Sequence, residues 1–170
     1  PSLAPIQVVI VPIYKTDEQL AEITNEVNTL IASLRKLRIS VKYDDRTTQK
    51  PGFKFAEHEM KGIPVRLAIG QRDLEKNEIE VARRDTKEKF TASLDSIDET
   101  VAQLLVDIQE NLFQRAKSFR NQKTTKVDTF DDFKALVDSD TGSVIQTWDR
   151  TISEKRARTS GMTMPTINES

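Results

Sequence analysis

The chain has 170 residues, 36% hydrophobic and 31% charged, with a net charge of −1 and a mean hydropathy of −0.53, enough for one ordinary domain with its own core plus a tail. Near-neutral charge excludes a protein that is basic over its whole surface but leaves room for a local basic patch. The absence of cysteine excludes disulfides and thiolate zinc sites, a lone histidine (His58) excludes a histidine-built metal cluster, and no apolar run reaches the roughly 18–20 residues of a membrane span.

Ile6–Val11 is a continuous β-branched run and reads as a strand buried on both faces. Thr16-Asp-Glu-Gln19 is a capping box, and behind it Leu20, Ile23, Val27, Leu30, Ile31, Leu34 and Leu37 recur at three and four, so residues 17–38 are expected to form an amphipathic helix. Ile39–Asp45 reads as a second strand, which makes strand, helix and strand a right-handed βαβ unit. Pro51-Gly52 opens a helix of about Phe53 to Lys61, on which Phe53, Ala56 and Met60 share one face and are expected to pack on the sheet. Val65–Ile69 reads as a third strand, and Glu78–Arg83 alternates with period two as a half-exposed strand should. A short fifth strand is expected in Lys87–Ala92, with turns at Asp73–Asn77 and Asp85–Lys87. Ser96-x-x-Glu99 is a second capping box, opening a long helix striped by Ile97, Val101, Leu104, Leu105, Ile108, Leu112, Ala116 and Phe119. Thr129 caps a short helix carrying Phe133, Leu136 and Val137, and beyond Asp138 the chain turns polar, with Arg150, Lys155, Arg156 and Arg158 close together. The whole reads as an α/β domain with a mixed five-stranded sheet and a C-terminal appendage.

Few chemical readings survive inspection. The turn after the first strand is PIYKTD, without the glycines a dinucleotide or phosphate loop needs. His58 has no nucleophile-elbow sequence near it and reads as a surface residue or as the support of another group. The acid pairs Asp44/Asp45, Asp131/Asp132 and Glu57/Glu59 read as solvated or capping groups. The run Arg115–Lys126 holds five cations and no acid. Two readings stand for it: complementation of a helix C-terminus, or a patch that tracks phosphates. Phe55 and Glu59, at i and i+4, put an aromatic beside a carboxylate on a second face of the short helix. Single-stranded RNA is read by such a pair, an unpaired base stacking on the ring while a carboxylate accepts from the N–H edge of guanine. Arg66, Arg83, Arg84, Lys87 and Lys89 are candidate donors to guanine O6. The competing reading leaves Phe55 in the core and Glu59 merely solvated.

The segments PIQVVIVPI, YDDRTTQKPGFKFAEHEMKGIPVRLAIGQRDLEKNEIEVARRDTKEK and KVDTFDDFK resemble the anticodon-binding domain of class II aminoacyl-tRNA synthetases, in the archaeal/eukaryotic-type prolyl branch, over roughly residues 3–137. Asp44-x-Arg46, Gly52-x-Lys54 and Glu59-x-x-Gly62-x-Pro64-x-Arg66 carry the wider family pattern, and KFAEHEMKGIPVR points to proline. The resemblance implies a three-layer α/β/α fold with one antiparallel strand. It implies readers of two guanines, which every proline anticodon contains, at Phe55, Glu59, Arg66 and Lys89, with Lys87 as a substitute for the lysine. Arg46, Lys54, Arg84 and Lys87 stand as candidates for backbone or secondary contacts.

On this resemblance residues 1–126 are the anticodon-binding domain and residues 127–170 open a C-terminal extension. Asp149 and Thr163 stand where relatives often place zinc-binding cysteines, so no zinc is expected. The chain begins without methionine directly before a strand and is expected to be cut from a longer polypeptide whose upstream class II catalytic domain uses ATP and Mg²⁺. The implied partner is the anticodon loop of proline tRNA. The implied parent is a cytoplasmic homodimer, and the fragment is expected to have no catalytic residues or cofactor of its own. The rival reading is an accessory or regulatory protein that reuses the fold to bind RNA or protein.

Overall fold

The structure is a computed structural model that describes residues 4–138 and 143–146. It divides into two compact units, Pro1–Gln114 and Arg115–Ser170. The first contains β1 (Val8–Ile13), α1 (Asp17–Lys36), β2 (Val41–Tyr43), α2 (Pro51–Met60), β3 (Val65–Gly70), α3 (Gln71–Glu75), β4 (Glu78–Arg83), β5 (Lys89–Ser93) and most of α4 (Ile97–Gln122). The second contains β6 (Thr124–Val127), α5 (Phe130–Asp138) and β7 (Ser143–Gln146), with β6 and β7 paired in parallel. Arg150, Lys155, Arg156 and Arg158, and the expected zinc-ligand positions Asp149 and Thr163, lie outside the described residues.

The five strands of the first unit follow the order β2-β1-β3-β4-β5. β1 is parallel to β2 and β3, while β4 runs antiparallel to both its neighbours, so the sheet is mixed with one reversed strand. Val8, Val9, Ile10 and Val11 are fully buried, as a central strand covered on both faces requires. One face carries the main core, where Ile23, Val27, Leu30 and Leu34 of α1 and Val101, Leu104 and Ile108 of α4 meet Val8, Ile10, Leu67, Ile69, Ile79 and Val81. The other carries a smaller apolar patch of Val9, Val11 and Ile63, against which Ile6 and Phe55 pack.

Half of the α1 capping box forms: Thr16 Oγ1 accepts from Gln19 N at 3.4 Å, while Gln19 Oε1 accepts at 2.9 Å from Lys15 N, one residue before the cap, in place of Thr16 N. Ser93 caps a 3₁₀ turn, Leu94–Ser96, that leads into α4 in place of the expected Ser96 box. The α4 stripe is buried only through Ile108; Leu112 and Phe119, expected to continue it, are exposed. Asp73 falls inside α3, and its carboxylate accepts from Gly70 N at 2.8 Å.

The largest departure from the sequence reading is the phase of α2. Phe53 and Met60 are 55% and 87% exposed and Ala56 is exposed too, whereas Lys54 and His58 form the buried face. Two features at the ends of the helix contribute. Pro51 occupies its first turn, where a missing N–H costs nothing. At the other end Gly62, at φ 79°, donates to Glu59 O and Ile63 N donates to His58 O at 3.2 Å, a double bond pattern that turns the chain and drives Ile63 into the apolar patch. The third contribution is a buried carboxylate.

Candidate nucleic-acid interface

Asp44 follows β2 and is 1% exposed, with its N–H bonded to Ile10 O at 2.9 Å. A carboxylate there must be paired. Arg46 supplies a two-pronged bond, Nε to Oδ1 and Nη2 to Oδ2, both at 2.7 Å. His58 Nε2 lies 2.7 Å from Oδ2, and Lys54 Nζ donates to the Asp44 carbonyl at 2.9 Å while lying 4.0 Å from Oδ1. The Arg46 bonds hold the Asp44 pKa well below the usual carboxylate range against the opposing effect of burial, with His58 and Lys54 adding to them. Burial pulls the Lys54 pKa down, against the attraction of Asp44. Arg46 also bonds Glu57 Oε2 at 2.6 Å.

Above this clamp lies a cleft of about 190 Å³, between α2 and the strands β3, β4 and β5. Its floor is one row across the sheet: Val9 pairs with Arg66, Arg66 with Ala82, and Ala82 with Lys89. Ala82 leaves space between two cations. Phe55, His58 and Glu59 line the helix side. The Arg66 guanidinium lies 3.6 Å from the Phe55 ring centroid, a stacked cation–π arrangement, and its Nη2 donates to Glu80 Oε1 at 2.9 Å. Burial lowers the Arg66 pKa and Glu80 opposes the shift; an arginine remains charged in either case. Glu59 stands at the rim, ion-paired with Lys87, which lowers its pKa. Arg84 Nε donates to the Glu59 carbonyl at 2.9 Å.

Phe55, Glu59, Arg66 and Lys89 therefore line a single cleft, with Arg84 and Lys87 at its edge. Arg83 lines it too, but its guanidinium bonds Asp85 at 2.8 Å. Lys54 is a correction: it is 1% exposed and its ammonium is directed at Asp44, so it offers no surface contact to a phosphate. Arg46 is committed to Asp44 and Glu57, although its side chain remains 39% exposed. His58, which the sequence leaves as a surface or supporting residue, is 1% exposed and joins the clamp to the cleft. Glu80 was missed, because alternation along β4 makes it a solvated residue and only the β3–β4 register sets it against Arg66. Among the described residues no group of three or more His, Cys, Asp or Glu could hold a metal, and no helix is long and apolar enough to cross a membrane.

The arrangement sets an aromatic ring, a carboxylate acceptor and cationic donors around one cleft, the set of groups that a planar, hydrogen-bonding ring requires. Comparison with known proteins agrees in kind. The family described as "Anticodon binding domain" matches residues 7–104. A proline--tRNA ligase of Flavobacterium johnsoniae is 57% identical over 151 residues, covering 89% of this chain and 31% of the relative. One from Porphyromonas gingivalis is 53% identical over 167 residues, covering 98% of this chain and 34% of the relative. The crystal structure of prolyl-tRNA synthetase from Cryptosporidium parvum, complexed with L-proline and AMP, superposes with a TM-score of 0.75 at 34% identity, covering 95% of this chain and 35% of that one. The chain thus spans about a third of the length of the curated relatives it matches.

Proposed function

The chain belongs to the anticodon-binding domain family, and from that membership we propose that it is the tRNA-reading part of a proline--tRNA ligase, recognising the two guanines of the proline anticodon. The observation that carries this reading is the cleft itself, in which Phe55, Glu59, Arg66 and Lys89 converge from α2, β3 and β5. A guanine stacked against the Phe55–Arg66 pair presents N1–H and N2–H to the Glu59 carboxylate, and O6 to Arg66 or Lys89. Lys87 and Arg84 at the rim suit the adjoining phosphates. In this reading residues 1–126 are the reading domain and residues 127–170 belong to a zinc-free, archaeal/eukaryotic-type C-terminal extension.

The parent enzyme in this reading is a cytoplasmic homodimer whose upstream class II catalytic domain charges tRNA with proline using ATP and Mg²⁺. The 170-residue chain binds the anticodon without aminoacylating. Binding to a proline anticodon stem-loop, compared with one in which both guanines are adenines, at two salt concentrations, tests it. A guanine preference that persists at the higher salt is the expected result. Base-blind binding that vanishes with salt would overturn the reading and favour an accessory role for the fold.

A further inference from the structure

Buried polar atoms without a partner are rare, because each costs the desolvation of the group. Among the described residues three side-chain atoms have this status, and two of them, His58 Nδ1 and Arg66 Nη1, belong to residues that line the cleft. The two differ in chemistry. Arg66 Nη1 can only donate. For His58 the tautomer follows from its partner: Asp44 is an ionised carboxylate that can only accept, so the hydrogen of a neutral ring sits on Nε2 and Nδ1 carries a lone pair. Arg46 and Lys54 face the same carboxylate. Two residues of the cleft lining thus carry an unused acceptor and an unused donor.

Guanine carries three hydrogens along one edge, one on N1 and two on the exocyclic amine. A carboxylate set against that edge accepts from N1–H and from one amine hydrogen, and the second amine hydrogen is left over. His58 and Glu59 are the i+3 and i+4 neighbours of Phe55 on α2, and all three line the cleft. Resting on the guanine reading above, we infer that His58 is a specificity-determining residue whose Nδ1 accepts the second amine hydrogen of one anticodon guanine. The Asp44 clamp then acts as a positioning device: by accepting from Nε2–H it fixes the tautomer that leaves Nδ1 free to accept.

His58 is the only histidine in the sequence, which gives the inference a direct readout. Long-range ¹H–¹⁵N spectra of the 170-residue chain report the two ring nitrogens of this one residue, and Nδ1 is read apart from the protonated Nε2. Addition of the guanine stem-loop is expected to shift the Nδ1 resonance upfield, as acceptance of a hydrogen bond does, and loops with inosine at each guanine in turn, which lack the amine, should leave it in place at one position. In binding, inosine at that position is expected to cost the wild type about tenfold or more, because it removes both amine hydrogens, the one offered to Glu59 and the one offered to His58 Nδ1. His58→Gln keeps a donor near the Nε2 position but lacks Nδ1, and should reduce the inosine penalty by about threefold or more. His58→Asn places an amide oxygen near the Nδ1 position and loses the bond to Asp44; it should lower the melting temperature yet keep the penalty. An unmoved Nδ1 signal in a chain that still prefers guanine to adenine overturns the inference and leaves the proposed function intact, as does an inosine penalty equal in wild type and His58→Gln. Absence of any preference for guanine over adenine removes both.

Discussion

The Asp44 clamp makes a large demand on stability, and Asp44→Ala measures it. The side chain is fully buried and receives three close bonds, two from Arg46 and one from His58, all at 2.7 Å. Truncation leaves the His58 Nε2–H, in a residue 1% exposed, with no acceptor, at about 1–3 kcal/mol for a buried unsatisfied group. It also strips the carboxylate from the side of the buried Lys54 ammonium, which keeps only the Asp44 carbonyl. The two losses together reach about 3–5 kcal/mol, the range for breaking a buried ion pair from one side. Against a total stability of about 5–15 kcal/mol the variant would be close to unfolding, so Asp44→Asn, which keeps one acceptor, is the companion, with an expected loss of about 2 kcal/mol.

Urea titration followed by far-ultraviolet circular dichroism reads the effect. With a slope of about 2 kcal/mol per molar, Asp44→Ala is expected to lower the midpoint by about 2 M. Adding Lys54→Met to Asp44→Ala should recover part of the loss, since the buried cation without its counter-ion is then gone. A midpoint shift below about 0.5 M at unchanged slope, or a double variant no more stable than Asp44→Ala, would refute the claim that the buried charges are coupled.

The same clamp sets an acid limit. The folded pKa of Asp44 lies below its unfolded value of about 3.9, so its contribution is complete above that pH and is lost as pH falls toward the folded value. Glu57, lowered to about 2 by Lys61 and Arg46, acts with the same sign. Melting temperature should therefore fall below about pH 4, less steeply in Asp44→Asn; parallel profiles would show that the steepness comes from other groups. Arg66→Ala is expected to lose about 1–3 kcal/mol of guanine over adenine discrimination, and Glu59→Gln about tenfold, both measured on the paired stem-loops; equal weakening toward every loop would make them electrostatic or folding residues instead. Phe55→Ala should cost about 1–3 kcal/mol toward all loops, as loss of a stacking surface does. Phe53→Ala, two residues away on the solvent side, should change stability by no more than about 0.5 kcal/mol and leave binding unaltered; a reversed result for the two phenylalanines would contradict the phase of α2.

What was legible in the sequence was whatever depends on apolar periodicity near in the chain. The β-branched run of β1, the three-and-four spacing of α1 and the alternation of β4 each report a face that one sheet buries. The cleft residues were legible too, Phe55 and Glu59 by spacing on one helix and Arg66 as a cation on the following strand. Illegible was the buried face of α2. Counting apolar residues selects Phe53, Ala56 and Met60, whereas the helix turns on a carboxylate 10 residues before Lys54 and 14 before His58. Periodicity scores Lys54 and His58 as solvent-facing because it has no knowledge of the anion that waits for them.

That misreading identifies how the fold makes the site. Successive helix residues turn by about 100°, so Lys54 and His58, directed at Asp44, leave Phe55 and Glu59 about 100° further round, at the border between the sheet and solvent. Phe55 there is half-buried and Glu59 exposed, the one against the apolar patch and Arg66, the other at the rim with Lys87. Had Phe53, Ala56 and Met60 faced the sheet, hydrophobic burial would have been greater, yet Phe55 and Glu59 would have been carried away from Arg66 and Lys89. A purely apolar helix face is held in its phase less sharply, since the hydrophobic driving force is non-directional. Hydrogen bonds to one buried carboxylate have a single geometry. Directional pairing at Asp44 thus sets the rotation of α2 where burial alone would leave it loose, and that rotation is what stands an aromatic ring and a carboxylate over a row of cations.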